Sequence, residues 1–208
     1  GSERTLNQHL GYAAWSADGK QWHSPVMLEG TFGHYIWRAA THDGTAFLCG
    51  RRNLEFDMTA IGERELVQSV MLESDDGLIW RKRALFQEER GDETAFLFQS
   101  DGNVLGVGRR GSGPAQLLQS RPPYKQWQRR DLDRYIGGPL IAAWGDRLVV
   151  AGRKSGAEFV GDRGPKTALY WLDPVAKDES GLLNEFAELP SGGDTSYPGF
   201  IALHASHA

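Results

Sequence analysis

Cysteine is nearly absent. Cys49 is the only one among 208 residues, so no disulfide can form within the chain. It stands inside an apolar run, which suits a small buried hydrophobe better than a nucleophile. Long apolar stretches are missing as well. No run approaches the roughly 20 residues a helix needs to cross a bilayer, and no membrane partner is expected. Neither sign of charge is in large excess: 23 Lys and Arg against 27 Asp and Glu leave a formal net charge of −4. That balance gives no electrostatic reason to expect nucleic acid. The six histidines show no metal-ligand spacing, so neither a metal nor another cofactor is expected. Helical periodicity is scarce too. Residues 174–188 read as a loop and then an outer strand or short helix, because Gly181 interrupts anything longer. Low-complexity tracts, linkers and a visible signal peptide are lacking, and residues 1–208 read as a single domain.

Glycine and tryptophan are plentiful, at 26 and 7, as in chains of short strands joined by tight turns. Two patterns recur. DGTAFLCGRR at 43–52, DGNVLGVGRR at 101–110 and GDRLVVAGRK at 145–154 align without a gap: a turn, an apolar strand, then Gly-Arg followed by Arg or Lys. SADGKQW at 16–22 returns as SDDGLIW at 74–80 and, one residue longer, as SRPPYKQW at 120–127. In these turns Asp and Ser side chains hydrogen-bond backbone amides, Gly supplies a positive φ, and Trp is expected to pack beneath. From Ser16 to Asp43 and from Ser74 to Asp101 is 27 residues, and from Ser120 to Gly145 is 25. The unit is therefore an inner hairpin followed by an outer one. Four-stranded units at this spacing predict an all-β propeller, with inner hairpins at 35–52, 93–110 and 138–153.

Within GDETAFLFQSDGNVLGVGRRG, 91–111, Asp101-Gly102 reads as a two-residue turn. That register places Glu93 opposite Arg110 and Thr94 opposite Arg109. Arg51, Arg109 and Arg153 occupy equivalent places in the three hairpins and are expected to point toward a shared axis, where cations would attract an anion. An equally economical reading has these arginines pair with acids such as Glu93 and cap the sheet ends. The stretch LPSGGDTSYPGF, 189–200, is expected to open a further inner hairpin, with Tyr197 equivalent to Gly138.

Together the SxDGxxW turns, the glutamate strand, GGPLIAAWGDRLVVAGR at 137–153 and the late SYPG resemble the sialidase (neuraminidase) superfamily, in particular bacterial exo-α-sialidase-like proteins with Asp-box repeats. The resemblance implies a six-bladed propeller, of which the chain supplies about two thirds; a four-bladed closure is the rival. It implies a retaining glycoside hydrolase acting on sialic acid or another acidic sugar, with Tyr197 as nucleophile, Glu93 as its partner base and Arg109 in the carboxylate-binding triad. Arg153 and Arg38 are candidates for a further triad arginine, Arg51 and Arg110 for the same cationic rim, and Asp194 for a turn residue or an acid. The family's first-blade arginine and acid have no counterpart. A secreted or periplasmic location also follows from the likeness. The roles agree chemically. The sugar's own carboxylate repels a carboxylate nucleophile, a phenol needs a neighbouring base, and guanidinium groups bind carboxylates in pairs. A lectin-like propeller that binds an anionic glycan without cleaving it, or a scaffold, fits the same residues.

Overall fold

The structure is a computed structural model that describes residues 9–54, 66–154, 165–190 and 197–201. It divides into two compact units, 1–91 and 92–208.

In the first unit, β1 (Tyr12–Ala13) and β2 (Val26–Met27) form a two-stranded hairpin. They precede a four-stranded antiparallel sheet of β3 (Tyr35–His42), β4 (Thr45–Asn53), β5 (Val67–Ser74) and β6 (Arg81–Gln87), paired in chain order. Every residue of β5 is buried, as befits an interior strand covered on both faces. Leu28 beside the hairpin packs with Leu48, Val70 and Leu72 of the sheet and with Trp80 of the β5–β6 turn, and the Glu29–Ile79 bridge ties the hairpin to that turn.

The second unit holds two sheets of the same plan. One comprises β7 (Thr94–Phe98), β8 (Val104–Arg110), β9 (Gly113–Ser120) and β10 (Trp127–Asp131). The other comprises β11 (Gly137–Trp144), β12 (Arg147–Lys154), β13 (Lys166–Leu172) and β14 (Leu183–Leu189), with a one-turn helix α1 (Glu179–Leu182) before its last strand. Leu105, Val107 and Leu117 of one sheet share a core with Ile141, Val150 and Tyr170 of the other. The inner hairpins thus lie where the repeat places them, and 174–188 contains both the short helix and the outer strand.

The Ser/Trp turns form as their residue types require. Ser74 Oγ donates to Asp76 Oδ1 at 3.0 Å, and that oxygen accepts from the N–H groups of Leu78 and Ile79 at 2.8 Å each. Ser16 and Asp18 repeat the arrangement with Lys20 and Gln21. The backbone amides, led by those of Gln21 and Ile79, hold the Asp18 and Asp76 carboxyls below the usual range. In the longer copy Tyr124 takes the left-handed position of Gly77, at φ 63° against 76°. Trp127 Nε1 donates to Tyr124 O as Trp80 Nε1 donates to Gly77 O. Trp80 is buried beneath its turn, but Trp22 stands 64% exposed, beside a hairpin that has two strands among the described residues.

One register differs from the expectation. Thr94 pairs with Gly108 and Phe98 with Val104, so Glu93 lies opposite Arg109, not Arg110. The connection is a three-residue loop: Gly102 N–H donates to Gln99 O, and Gly102 sits at φ 80°. A turn followed by a left-handed glycine adds one residue to the simple two-residue hairpin. Nor does 197–201 form a strand. Tyr197 takes φ 71°, outside the β region, and Phe200 packs edge-on to Trp144.

Candidate functional site

The chemistry-bearing side chains of the second unit gather at the end of β7 and β8 away from their turn. Glu93 precedes β7, Arg109 is the penultimate residue of β8, Tyr135 precedes β11 and Arg153 lies on β12. The corrected register brings the acid and base together. Arg109 Nη1 donates to Glu93 Oε2 at 2.9 Å, and Arg109 Nε donates to Gly111 O at 3.0 Å with Asp92 Oδ2 at 3.4 Å. Glu93 is only 4% exposed, and its Oε2 also accepts from Gly138 N–H at 3.1 Å. That bond joins the β7 end to the entry of β11. Asp92 braces the corner by accepting from Glu93 N–H at 3.0 Å.

Burial works against the charge on Arg109, but Asp92 and Glu93 outweigh it and push the guanidinium pKa up. The group is a fixed cation. Its Nη2 takes no part in the contacts with Asp92, Glu93 and Gly111, so one donor edge is left for another acceptor. The guanidinium carbon lies 5.4 Å from the centre of the Tyr135 ring, and Arg153 Nη2 donates to the Tyr135 hydroxyl at 3.2 Å. Two arginines therefore converge on one phenol, with two carboxylates behind them.

Arg110 points elsewhere, toward Asp131 with Nη1 3.6 Å from Oδ2. As the next residue along β8 it faces the opposite side of the sheet from Arg109. Tyr197 is half exposed in left-handed backbone. Asp194 lies outside the described residues.

In the first unit, Arg51 pairs across its hairpin with Tyr35, as Arg153 pairs with Gly137. Its guanidinium lies 4.6 Å over the Tyr35 ring, which stacks against Trp37 and meets His9 edge-on. Burial, then the neighbouring Arg51 charge, lower the His9 pKa. Arg38, at the β3 bulge, has its pKa lowered by burial. Among the described residues, no group of three or more His, Cys, Asp or Glu could hold a metal ion.

Tyr135 and Asp92 were not among the residues singled out from sequence. The signal for Asp92 was its place beside Glu93. Tyr135 lies two residues before the Gly-Gly that opens β11, but only the approach of the two sheets gives it a role.

No family model and no curated protein matches the chain. Solved structures do. A protein of unknown function from Dyadobacter fermentans is similar with a TM-score of 0.69 and 16% identity, over 90% of this chain and 55% of that one. An exo-1,5-α-L-arabinanase from a bovine ruminal metagenomic library gives 0.56 and 14%, over 88% and 74%. The endosialidase of phage phi92 gives 0.57 and 11%, over 81% and 29%. The chain thus spans about half of the first and under a third of the last. These likenesses establish the fold: an all-β propeller of four-stranded blades.

Proposed function

We propose that the chain is part of a carbohydrate-active propeller whose site takes an acidic sugar. The observation that carries this is the convergence of Arg109 and Arg153 on Tyr135, with Arg109 held by Asp92 and Glu93. Planar guanidinium groups fixed in this way suit a carboxylate, and a phenol between them offers both a ring face and a hydroxyl to a sugar. The names of two similar structures, an arabinanase and an endosialidase, favour a glycan over other anions. Glu93, already bonded to Arg109 and Gly138 N–H, acts first by fixing the direction of Arg109. Calorimetric titration with 3′-sialyllactose and with arabinotriose tests the reading. Binding of the acidic sugar that falls about tenfold or more in Arg153→Ala is expected, since a charged hydrogen bond is lost. Equal binding by Arg153→Ala sinks it.

The backbone of Tyr197 favours a hydrolytic version of the same site. A bulky residue at φ 71° is strained, and such strain tends to gather where a side chain must be aimed. In that version the Tyr197 oxygen bonds to the anomeric carbon as the glycosidic bond breaks, the departing oxygen takes a proton from an acid supplied elsewhere in the full-length protein, and water then releases the sugar from Tyr197. Glu93 takes the phenolic proton, and Arg109 orients the sugar carboxylate. With a fluorogenic sialoside and the full-length protein, Tyr197→Phe is expected to lower turnover by about a hundredfold or more while sparing binding. Full turnover in that variant rejects Tyr197 as the nucleophile, and absent turnover in the unaltered full-length protein leaves the anionic-glycan binding module as the function. Six blades for the complete propeller belong to this proposal.

A further inference from the structure

At the turn end of the β7–β10 sheet is a cavity of about 780 Å³, walled by the β7–β8 loop, β9 and the loop into β10. Small-ligand sites span roughly 300–1,000 Å³. The cavity is about 20 Å from Glu93, the rise of the six residues from 93 to 99 along an extended strand. It is therefore distinct from the Arg109 site.

Its walls are unusually rich in amides. Gln99, Gln119, Gln126 and Gln128 line it, and among the described residues none of their side chains joins a hydrogen bond or ion pair. Each offers two N–H donors and one carbonyl acceptor, the combination that matches neighbouring hydroxyls of a sugar ring. Trp127 adds an aromatic wall, held by its Nε1 bond to Tyr124 O at 3.0 Å. The lining includes two cations, Arg121 and Lys125, and no carboxylate.

We infer that this cavity is a second carbohydrate site, taking an oligosaccharide that bears a carboxylate. The amides hold the hydroxyls, Trp127 lies against a ring, and Arg121 with Lys125 meets the acid. Such a site anchors a glycan without taking part in chemistry at Arg109.

The test uses the protein labelled with nitrogen-15 at tryptophan indoles, with the Trp127 signal assigned by Trp127→Phe. Millimolar 3′-sialyllactose is expected to move that signal, and lactose to move it more weakly. Gln119→Ala with Gln128→Ala is expected to weaken the response about tenfold, as for two lost hydrogen bonds. Arg121→Ala, an exposed change, is expected to remove the preference over lactose. Arg153→Ala is expected to leave the Trp127 response intact, so a failed site at Arg153 and a failed site here give different results. An unmoved Trp127 signal overturns the inference. So does a response that survives the double variant, an equal response to lactose in the unaltered protein, or loss of the response in Arg153→Ala.

Discussion

Glu93 sits where water hardly reaches, and there Arg109 and the Gly138 amide donate hydrogen bonds to its carboxylate. Glu93→Gln keeps the shape and removes the charge, leaving Arg109 with Asp92 alone. A loss of about 2 kcal/mol is expected in urea unfolding, below the 3–5 kcal/mol typical of an orphaned buried partner because Asp92 stays. His34 is the other telling residue. It is buried, its Nδ1 lies 3.2 Å from Phe32 O, and its pKa is lowered to about 4 by burial first and then by Arg52, with Lys82 adding a smaller push. Unfolding returns it to 6.5, so the unfolded chain binds the extra proton. This contribution to stability is complete above pH 6.5 and is lost as pH falls toward 4. The full loss is about 3 kcal/mol. Urea midpoints at pH 7 and pH 4.5 are expected to diverge less in His34→Gln than in the unaltered protein.

Among the elements, the hairpin β7–β8 shows where reading a sequence stops. Its two strands were legible as short apolar runs on either side of Asp101-Gly102. The register was not, because the same dipeptide closes loops of two or three residues, and only the Gly102-to-Gln99 bond decides between them. That one step exchanges Arg109 for Arg110 opposite Glu93. The repeated Gly-Arg pair has a physical reason equally hidden from the sequence. A side chain at Gly152 would press on Ile136 and come within 2.9 Å of Gly137 O, where the chain enters β11. Gly50 is similarly confined, at 3.0 Å from His34 Cβ. Gly152→Ala is therefore expected to cost about 1–3 kcal/mol through overpacking, read as a lower melting temperature. It should also weaken sugar binding, since Arg153 follows directly. Tyr135 escaped notice for a related reason: its importance comes from two sheets meeting, which no local pattern records.

For the whole molecule, the sheet plan was written in the 27-residue spacing, and the fold followed from it. The proposed ligand was not, because recognition of a ligand rests on a few side chains carried by a scaffold shared among many activities. A ligand that binds only the folded chain must raise its stability. At 100 times its Kd, 3′-sialyllactose is expected to add about 2.7 kcal/mol, seen as a higher melting temperature that Arg153→Ala reduces. If the inferred cavity is also filled, part of the rise persists in that variant. The plan of the sheets has one more consequence, for the way the chain acquires its structure. Each four-stranded sheet pairs strands only with their neighbours in sequence. Loop closures are consequently short, and a sheet can zip up strand by strand without waiting for distant chain. On the ribosome, β3 to β6 can assemble while later strands are still being synthesised, so this all-β chain should form its early sheets faster than a Greek-key protein of equal length.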